Sequence, residues 1–509
     1  MSLYEYLKAC ASRARAINNE NRDRILCDNS SALFVQNRLR DFSSFSSFPV
    51  SSYEDYEPFV QKYLAGEEHA LTNYPASYNL LSSGSGGKRS RFLLTHEALR
   101  RYSSYWYSLP FELAGSKSRH EFHAGAYREP EGPFRDTILS AAFYWTQRKN
   151  GVLREENLIG GFPFLFTDDV DNILYAKARL LFASQELTAI IANYLYDLTV
   201  LFSYIEEHAD LIADDASSGR ISVPLPPQMR RIAESLPAVP AGRAERLRQF
   251  FQHPDGGLKT VFPELEFITG IGGAAYSRHT RLLSRFTGSV PVYYYTYAAS
   301  ECKMGVPLCF DRAEYLLIPD CAYYEFLTQS GELVNLEELK AGMLVSPVVT
   351  TFSGLYRYRI KDMIAVQDFC SEAPVFTVEG RCDEILNAGG EKLSVKVFQD
   401  AFDSLGLAPA DYAVTLDCTA MPARYLVYTE TSDGRSCGEI ASMLDHRLRQ
   451  LHEEYADVCL FGLIGQPEIK KIPPGALKQM RSRFFKGGHN KASVLLRSME
   501  AEYLGRLYS

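Results

Sequence analysis

Residues 79 to 95, NLLSSGSGGKRSRFLLT, place serine, glycine and cationic side chains between two apolar stretches. Glycine and serine have little side chain to bury, so they favour a loop whose backbone N–H groups can point inward together. With Lys88 close behind, such a loop suits a phosphate chain, held by amide dipoles, serine hydroxyls and a flexible ammonium. A surface linker of the same composition is the alternative interpretation.

The loop does not match the phosphate-binding loop of nucleoside triphosphatases. That motif requires a glycine where this chain has Ser82, and a serine or threonine where it has Arg89. The stretch instead resembles the serine- and glycine-rich loop of adenylate-forming enzymes, which holds the β- and γ-phosphates of ATP while a carboxylate attacks the α-phosphate. If the chain forms acyl-adenylates, further nucleotide-binding motifs should follow in a fixed order.

Two downstream segments have residues suited to adenine and to magnesium. In ITGIGGAAYSRHTRLL, residues 268 to 283, a strand ends at Gly272 and Gly273, whose backbone can approach a flat base closely. In YYYTYAASECKMG, residues 293 to 305, Tyr297 can stack on adenine and Glu301 can hold the Mg²⁺ that accompanies ATP. A tight strand-to-helix turn, a core tyrosine and a solvated glutamate are the alternatives.

A third segment, TTFSGLYRYRIKDMIAV, spans residues 350 to 366. We predict a strand, a turn at Ser353 and Gly354, and a second strand in which apolar and cationic residues alternate from Tyr356 to Lys361. Asp362 follows, and its two oxygens can accept hydrogen bonds from both ribose hydroxyls. A β-hairpin with one polar face would have the same pattern.

In a fourth segment, EGRCDEILNAGGEKLS, Arg381 and Lys392 flank a glycine turn. These two cations are suited to ribose and to the α-phosphate. Because the texture of the sequence changes here, we also place a hinge near Arg381.

The order and spacing of these segments resemble those of the auxin-responsive acyl acid amido synthetases of plants and their bacterial relatives, a branch of the adenylate-forming superfamily. FPVSSYEDYEPFV is similar to the family sequence ahead of the nucleotide loop, YAASEC to its YASSEC, and TTFSGLYRYRIKD to its TTYAGLYRYRVGD. The similarity runs from about residue 48 to the C-terminus, with diverged stretches between residues 100 and 256. It implies an enzyme that uses ATP and Mg²⁺ to adenylate a small carboxylic acid, releasing pyrophosphate, and then transfers the acyl group to an amino acid or other amine, releasing AMP.

The resemblance also implies roles for individual residues. It assigns Glu301 to Mg²⁺, Lys392 to the α-phosphate, and Lys491, in FFKGGHNKASVLL, to catalysis from a mobile domain. Lys478 is the alternative to Lys491, and a solvated helix charge is the other interpretation of either lysine. The nucleotide-binding set is Ser82, Ser83, Ser85, Gly86, Gly87, Lys88, Gly272, Gly273, Ala274, Tyr297, Ala298, Ser300, Asp362 and Arg381.

The chain departs from the family pattern at three places. The phosphate loop is one residue shorter, and Lys361 replaces the glycine before the ribose aspartate. Lys303 and Met304 stand where plant members carry aromatic residues, and we predict that they border the acyl pocket. The lysine at position 303 has two interpretations. It binds a second polar group of the substrate, or it points at water, and the second interpretation is favoured.

An α/β fold must position these residues. Residues 1 to 48 predict a helix and then a loop, residues 170 to 256 a helical layer with a buried helix at 187 to 205, and the chain from 258 a mostly parallel sheet. We predict a large N-terminal domain, residues 1 to 380, with β-sheets and helical layers that carry the ATP and acyl-acid sites. A hinge at 381 to 384 leads to a smaller, mobile α+β C-terminal domain, residues 385 to 509.

The composition is that of a soluble globular enzyme, since 46% of the 509 residues are hydrophobic and 23% are charged. The net charge of −8, without a long basic block, excludes nucleic acid as the main partner. The polar N-terminus lacks the apolar core of a secretory signal, and no segment is typical of a membrane span. The ten cysteines include no C-x-x-C pair, so neither a zinc ribbon nor a disulfide framework is indicated. We expect a cytoplasmic monomer.

Two other functions stay open at this point. The acyl group can pass to a thiol, either coenzyme A or a carrier protein, in place of an amine. Alternatively, the shortened loop marks a non-catalytic homologue that binds an acyl acid or a nucleotide.

Overall fold

The computed structural model describes residues 1–39, 45–82, 90–130, 136–272, 283–381, 385–407, 411–484, 495–496 and 498–508. The chain divides into two compact units, one of Met1–Ser82 with Ser90–Cys382 and one that contains Asp383–Ser509. The predicted α/β class, with a large N-terminal part and a smaller C-terminal part, is confirmed. Residues 382 to 384 of the predicted hinge lie outside the described residues, so the hinge and the mobility stay predictions. None of the helices in the described ranges combines the length and the apolar character that crossing a membrane requires.

Helices dominate the first half of the larger unit. Ser2 begins the first helix with a capping box, because its hydroxyl accepts a hydrogen bond from Glu5 N at 3.2 Å and its N–H donates to the Glu5 carboxylate at 3.0 Å. The helices are α1 (Leu3–Ala11), α2 (Ala14–Asp28), α3 (Tyr53–Leu64), α4 (His96–Trp106), α5 (Leu109–Ala114), α6 (Leu139–Lys149), α7 (Gly161–Leu165), α8 (Ile173–Ala183), α9 (Leu195–Glu207), α10 (Ala209–Ser218), α11 (Pro227–Ser235) and α12 (Ala241–Gln252).

The prediction of one helix and a loop for residues 1 to 48 is wrong in part. Two helices, α1 and α2, fill residues 3 to 28, and a π-helical turn follows at Val35–Leu39. The break between them is a turn at Ser12 and Arg13. Short 3₁₀ turns lie at Phe45–Ser47, Glu155–Asn157, Leu258–Thr260 and Leu336–Glu338.

The described strands of the larger unit form three sheets. The strands are β1 (Ala76–Leu81), β2 (Arg91–Thr95), β3 (Glu121–His123), β4 (Asp136–Thr137), β5 (Ala189–Tyr194), β6 (Phe267–Ile271), β7 (Val292–Tyr294), β8 (Tyr297–Ala298), β9 (Lys303–Val306), β10 (Tyr315–Leu317), β11 (Ala322–Thr328), β12 (Leu333–Asn335), β13 (Leu344–Thr351), β14 (Tyr358–Arg359), β15 (Asp362–Cys370) and β16 (Ala373–Arg381). The small sheet has the order β2-β1-β4, and its β1 and β2 form an antiparallel pair on either side of the predicted phosphate loop.

A four-stranded parallel sheet, ordered β3-β5-β6-β7, lies beneath the helical layer. Buried apolar side chains of this sheet and of α8 to α12 form one hydrophobic cluster. The predicted buried helix at 187 to 205 is wrong in its first half, since Ala189–Tyr194 is a strand and the helix begins at Leu195. A continuous apolar run does not separate a buried strand from a buried helix, and here pairing with β3 and β6 decides for the strand.

The largest sheet has nine strands, ordered β12-β11-β13-β15-β16-β10-β9-β8, with β14 paired to β13. Its pairs are antiparallel, so the prediction of a mostly parallel sheet after residue 258 is wrong for this part of the chain. Short turns join most of these strands, whereas parallel pairing requires a long crossover connection. A second hydrophobic cluster joins this sheet to the N-terminal helices.

The smaller unit is an α+β structure. A hairpin of β17 (Ile385–Leu386) and β18 (Leu393–Ser394) leads to a three-stranded sheet, in which β20 pairs antiparallel with β19 and parallel with β21. Its other elements are α13 (Val395–Asp403), β19 (Tyr412–Asp417), β20 (Arg424–Thr429), α14 (Cys437–Leu451), α15 (Glu453–Leu460), β21 (Glu468–Lys471), α16 (Ala476–Phe484) and α17 (Ser498–Leu507).

Candidate active site

The predicted phosphate loop closes an antiparallel hairpin. Ser82 N donates a hydrogen bond to Ser90 O at 2.8 Å, which fixes the neck of the loop between β1 and β2. Arg91, directly after the neck, forms an ion pair with Asp136 on β4 at 2.7 Å. The residues predicted to hold phosphate from the loop itself, Ser83, Ser85, Gly86, Gly87 and Lys88, lie outside the described residues.

The residues predicted for adenine and for ribose touch each other. The Tyr297 hydroxyl donates a hydrogen bond to Asp362 Oδ2 at 2.7 Å, although the two residues are 65 positions apart in the sequence. The Tyr297 ring also packs edge-on against Phe376, with ring centroids 5.6 Å apart. Both hydrogen-bonding residues are half-buried, so a ligand can still reach them.

The predicted magnesium ligand lies beside the ribose segment. The Tyr358 hydroxyl is 3.5 Å from Glu301 Oε1, the length of a weak hydrogen bond. Burial, and then the Glu301 charge, raise the pKa of Tyr358, so its hydroxyl stays protonated and can donate. The Tyr358 ring meets the ring of Phe92 on β2 with centroids 5.8 Å apart. The hairpin neck, the tyrosine of the adenine segment and the ribose segment therefore lie together.

The stretch FPVSS, ahead of α3, is pinned to the ribose segment. Ser51 N donates to Arg357 O at 2.8 Å, and Arg359 N donates back to Ser51 O at 3.0 Å. The Ser51 hydroxyl donates to Tyr356 O at 2.8 Å. These bonds fix the backbone on which Tyr358 is carried.

The predicted alternation holds for half-buried Arg359 and exposed Lys361, but it is wrong at Arg357, which does not lie on a polar strand face. Its φ is +49°, in the left-handed region, which breaks the strand before β14. The buried guanidinium donates to both carboxylate oxygens of Glu325, at 2.7 and 2.5 Å, and to the carbonyls of Ser46 and Phe48, each at 2.6 Å. The alternating pattern fails because a buried carboxylate on β11, 32 residues earlier, captures this arginine.

Two further predicted residues are placed by the sheets. Arg381 lies opposite Asp362 in the antiparallel pairing of β15 with β16, so its backbone borders the predicted ribose site. A Cβ atom on Gly272 would lie 2.8 Å from the Leu195 side chain and 2.9 Å from the Tyr294 ring, so a larger residue there would force these side chains to shift. Gly273 and Ala274 lie outside the described residues.

The segment after Tyr297 turns back on itself as a tight hairpin. Ala298 on β8 pairs with Lys303 on β9, and the half-buried Ser300 lies in the turn between them. Lys303 does not point at water, as the favoured interpretation expects, because only 1% of its surface is exposed. Its ammonium lies 4.0 Å from the centroid of the Phe143 ring, and burial lowers the pKa of Lys303 well below its usual value. Met304 is likewise buried.

In the smaller unit, Lys392 follows a turn that a buried carboxylate holds. Glu391 accepts hydrogen bonds from Ala388 N and Gly389 N, each at 2.7 Å, and from the Tyr425 hydroxyl. Lys392 has a φ of +43°, in the left-handed region, and is half-buried. Lys478 is exposed on α16, and Lys491 lies outside the described residues.

Sequence reasoning missed two buried charges in the helical layer. Lys177 on α8 and Asp197 on α9 are only 6% and 8% exposed. Burial lowers the pKa of Lys177 to about 8 and raises the pKa of Asp197 to about 6, while each charge partly offsets the other's shift. The sequence signal was a lysine and an aspartate on the apolar faces of helices, within a stretch too diverged to align by eye.

Comparison with known protein families covers most of the chain. Residues 4–292 match the GH3 family N-terminal domain, residues 315–381 the GH3 family central domain, and residues 394–494 the GH3 family C-terminal domain. The chain belongs to the GH3 family. This confirms the resemblance that the motifs indicate.

The curated relatives in this family are amido synthetases and ligases. The chain is 26% identical to a probable indole-3-acetic acid-amido synthetase of Oryza sativa subsp. japonica, over 91% of this chain and 86% of the relative. It is 22% identical to a 4-substituted benzoates-glutamate ligase of Arabidopsis thaliana, over 95% of this chain and 92% of the relative. The matched relatives therefore have the class of activity that the sequence predicts for this chain.

Solved structures share the fold. An acyl acid amido synthetase, AtGH3.15 in complex with 2,4-DB, matches with a TM-score of 0.67 and 22% identity, over 99% of this chain and 95% of that one. A 2-hydroxyisobutyryl-CoA ligase, in complex with 2-HIB-AMP and CoA, matches with a TM-score of 0.52 and 12% identity, over 100% of this chain and 93% of that one. The fold is thus one that acyl acid amido synthetases and a coenzyme A ligase have in common.

Proposed function

We propose that this protein is an ATP-dependent acyl acid amido synthetase. It adenylates a small carboxylic acid, releasing pyrophosphate, and then transfers the acyl group to the amine of an amino acid, releasing AMP. The hydrogen bond between Tyr297 and Asp362 supports this proposal most directly, because it joins residues that the family resemblance assigns to adenine and to ribose. The activities of the curated relatives support an amine as acceptor.

In this proposal Asp362 accepts hydrogen bonds from the ribose hydroxyls. Its Oδ2 already accepts from Tyr297, which orients the carboxylate before the nucleotide arrives. Oriented groups lose less entropy on binding than flexible ones, so the ring and the carboxylate form a rigid support for the nucleoside. Arg381 is proposed to contact the nucleotide beside Asp362, because the backbones of the two residues are paired.

Attack of the acid on the α-phosphorus builds negative charge on the phosphate oxygens and on the leaving pyrophosphate. This charge is proposed to be stabilised by the backbone N–H groups and hydroxyls of the serine- and glycine-rich loop. Three lysines, Lys88, Lys392 and Lys491, are proposed to add positive charge. Fixed donors of this kind typically lower a barrier by several kcal/mol, on the order of 3 kcal/mol for each donor. No acid–base pair is required for this step.

Glu301 is the residue proposed to hold Mg²⁺. A carboxylate is a hard oxygen ligand of the kind that Mg²⁺ prefers, and the ion is usually held by one or two carboxylates together with substrate phosphates. The half-buried Glu301 fits that need, since its carboxylate lies beside Tyr358 of the proposed ribose segment. The ion would supply charge neutralisation at the phosphates.

The proposal is tested by incubating the full chain with ATP, Mg²⁺ and a panel of carboxylic acids. Pyrophosphate release and hydroxamate formation with hydroxylamine read the adenylation step. Amino acids and coenzyme A are then offered separately, and the products are identified by mass. Amides with amino acids and AMP are expected. A thioester as sole product would mean that the enzyme passes the acyl group to a thiol and not to an amine. Ligand binding without AMP would indicate a non-catalytic homologue.

Asp362→Asn provides the sharpest single-residue test. Removing the negative charge weakens two hydrogen bonds to ribose, so kcat/KM for adenylation should fall about 10- to 100-fold. Asp368→Asn is the matched control, because Asp368 is an exposed aspartate on the same strand. Equal activity of the two variants would remove Asp362 from the nucleotide site.

A further inference from the structure

The larger unit buries a lysine and an aspartate that do not bond to each other. Lys177 lies on α8 and Asp197 in the first turn of α9, each more than nine-tenths buried. Asp197 Oδ2 accepts a hydrogen bond from Tyr194 N at 3.2 Å, whereas Oδ1 has no hydrogen-bond partner among the described residues. The charge of each residue partly offsets the shift in the other's pKa, but the two form no direct ion pair within those residues.

An unsatisfied buried charge is costly. Leaving a buried polar group without a partner costs about 1 to 3 kcal/mol, and more when the group is charged. Another aspartate of the same helical layer shows the satisfied case, because Asp215 accepts from the Tyr175 hydroxyl at 2.6 Å and from the Ser222 hydroxyl at 2.7 Å. The protein thus bears a cost at Lys177 and Asp197 that it avoids at Asp215.

The helix that carries Asp197 contacts the predicted adenine segment. Asp197 follows β5, beyond the carboxyl end of a parallel strand, which is where open α/β sheets bind ligands. The first residue of the same helix, Leu195, packs against Gly272 of the predicted adenine segment.

A row of polar aromatic residues leads from Asn193, at the end of β5, towards Tyr297. The Tyr127 hydroxyl, which feels the Asp197 charge, donates to Asn193 Oδ1 at 2.8 Å. The rings of Tyr127 and Tyr144 have centroids 5.0 Å apart, and the hydroxyls of Tyr144 and Tyr295 are 2.8 Å apart. Tyr295 lies two residues before Tyr297, so the row reaches the adenine segment.

We propose that Lys177 and Asp197 bind a hydroxyl group carried by the carboxylic acid substrate, so that the enzyme prefers hydroxylated acids to their unsubstituted analogues. A hydroxyl has one donor and two lone pairs, so it can donate to Asp197 Oδ1 and accept from the Lys177 ammonium at once. A carboxylate offers no donor and an ammonium no acceptor, so neither satisfies both residues. This inference rests on the proposed function, and it names the class of acid.

The test uses pairs of acids that differ only by one hydroxyl, such as phenylpropanoic acid with its 4-hydroxy derivative, and hexanoic with 6-hydroxyhexanoic acid. We expect kcat/KM for adenylation to favour the hydroxylated member of at least one pair by about 10- to 100-fold, because the unsubstituted acid leaves both charges unsatisfied. Calorimetric titration of the same acids reads the preference as a difference in Kd without turnover. Equal values within every pair, by either measurement, would overturn the inference.

The double variant Lys177→Met with Asp197→Leu assigns the preference to the two residues. Replacing both charges by apolar groups of similar size leaves no unpaired charge, so the fold should persist, as circular dichroism and the unfolding transition would report. The preference for the hydroxylated acid should vanish or reverse. Asp215→Asn is the matched control, since it alters a buried aspartate of the same layer that is already satisfied, and it should keep the preference. A double variant that keeps it too would overturn the inference.

The two failures are distinguishable. If neither member of any pair is adenylated, while calorimetry shows the hydroxylated member bound more tightly, the proposed function fails and the binding preference stands. If both members are adenylated with equal kcat/KM, the proposed function stands and the hydroxyl preference fails. A water held by Lys177 and Asp197 that no substrate displaces would give this second result.

Discussion

The larger unit buries two pairs of opposite charges in different ways. Arg357 and Glu325 meet in a bidentate contact, and the remaining arginine donors that the structure describes go to backbone carbonyls. Lys177 and Asp197 are equally buried but remain apart. A pair whose members bond to each other supports the fold. A pair held apart beyond the end of a strand keeps polar atoms available to a ligand. The exposed fractions of the side chains do not distinguish the two pairs. Their hydrogen bonds do.

The largest expected effect comes from breaking the satisfied pair. Glu325→Gln leaves the Arg357 charge buried without its carboxylate, and removing one partner of a buried pair typically costs about 3 to 5 kcal/mol. We expect a loss of that size in the free energy of unfolding of the larger unit. Tryptophan fluorescence in urea measures it, because the chain has only two tryptophans, Trp106 and Trp145, and both belong to that unit.

An exposed pair supplies the control for that experiment. Glu234 forms a surface ion pair with Arg230 at 2.9 Å, one turn away on α11. Exposed pairs contribute about 0 to 1 kcal/mol, so Glu234→Gln should shift the unfolding midpoint only slightly. If both glutamine variants unfolded alike, the structural role assigned to Arg357 and Glu325 would be wrong.

The separated pair should appear in the pH dependence of stability. The pKa of Asp197 is raised to about 6, so between about pH 4 and 6 the folded protein binds this proton more tightly than the unfolded chain, and stability falls as pH rises. The pKa of Lys177 is lowered to about 8, so between about pH 8 and 10 the unfolded chain binds the proton more tightly, and stability rises with pH.

The double variant Lys177→Met with Asp197→Leu isolates these contributions. The difference in unfolding free energy between wild type and variant should change by on the order of 1 to 3 kcal/mol across each pH window, in opposite directions. Urea titrations at pH 4, 6, 8 and 10 measure it. A difference that is constant with pH would mean that the two charges are not held in the buried state described above.

The smallest expected effect concerns a single hydroxyl on the same sheet as the satisfied pair. Tyr297→Phe removes the hydroxyl that orients Asp362 and leaves the ring in place. This hydroxyl acts on the nucleotide only through the orientation of Asp362, so KM for ATP should rise up to about 10-fold, less than for Asp362→Asn, which changes the proposed ribose acceptor itself. Tyr323→Phe, which removes a hydroxyl 3.4 Å from Asn335, is the control and should leave KM for ATP unchanged.

The segments proposed to bind the nucleotide could be found from the sequence because each is a short local motif. Tyr297, Glu301 and Asp362 were each found from a few neighbouring letters, and the two hydrogen bonds among these segments join them in the fold. Their individual roles stay predictions. The Ser- and Gly-rich loop was equally evident in the sequence, and its residues lie outside the described part of the chain.

Other features were not predictable, because they depend on partners far away in the sequence. Arg357 follows the alternation of a surface strand and is buried only because β11 presents Glu325 to it. Lys303 is the same case, since Phe143 on α6 lies against the ammonium of a buried residue that resembles a solvated cation in the sequence. The strand at 189 to 194 was not recognised, because a continuous apolar run is compatible with a buried strand and with a buried helix.

The position of β16 has a consequence for synthesis of the protein on the ribosome. This strand is the last of the larger unit to be made, yet it lies inside the large sheet, between β15 and β10. Until residue 381 has emerged, both neighbours present open edges that can pair with other nascent chains. We therefore expect that ribosome stalling just before this strand leaves an incomplete, aggregation-prone sheet. Both open edges are covered only when β16 has paired and Arg381 lies opposite Asp362.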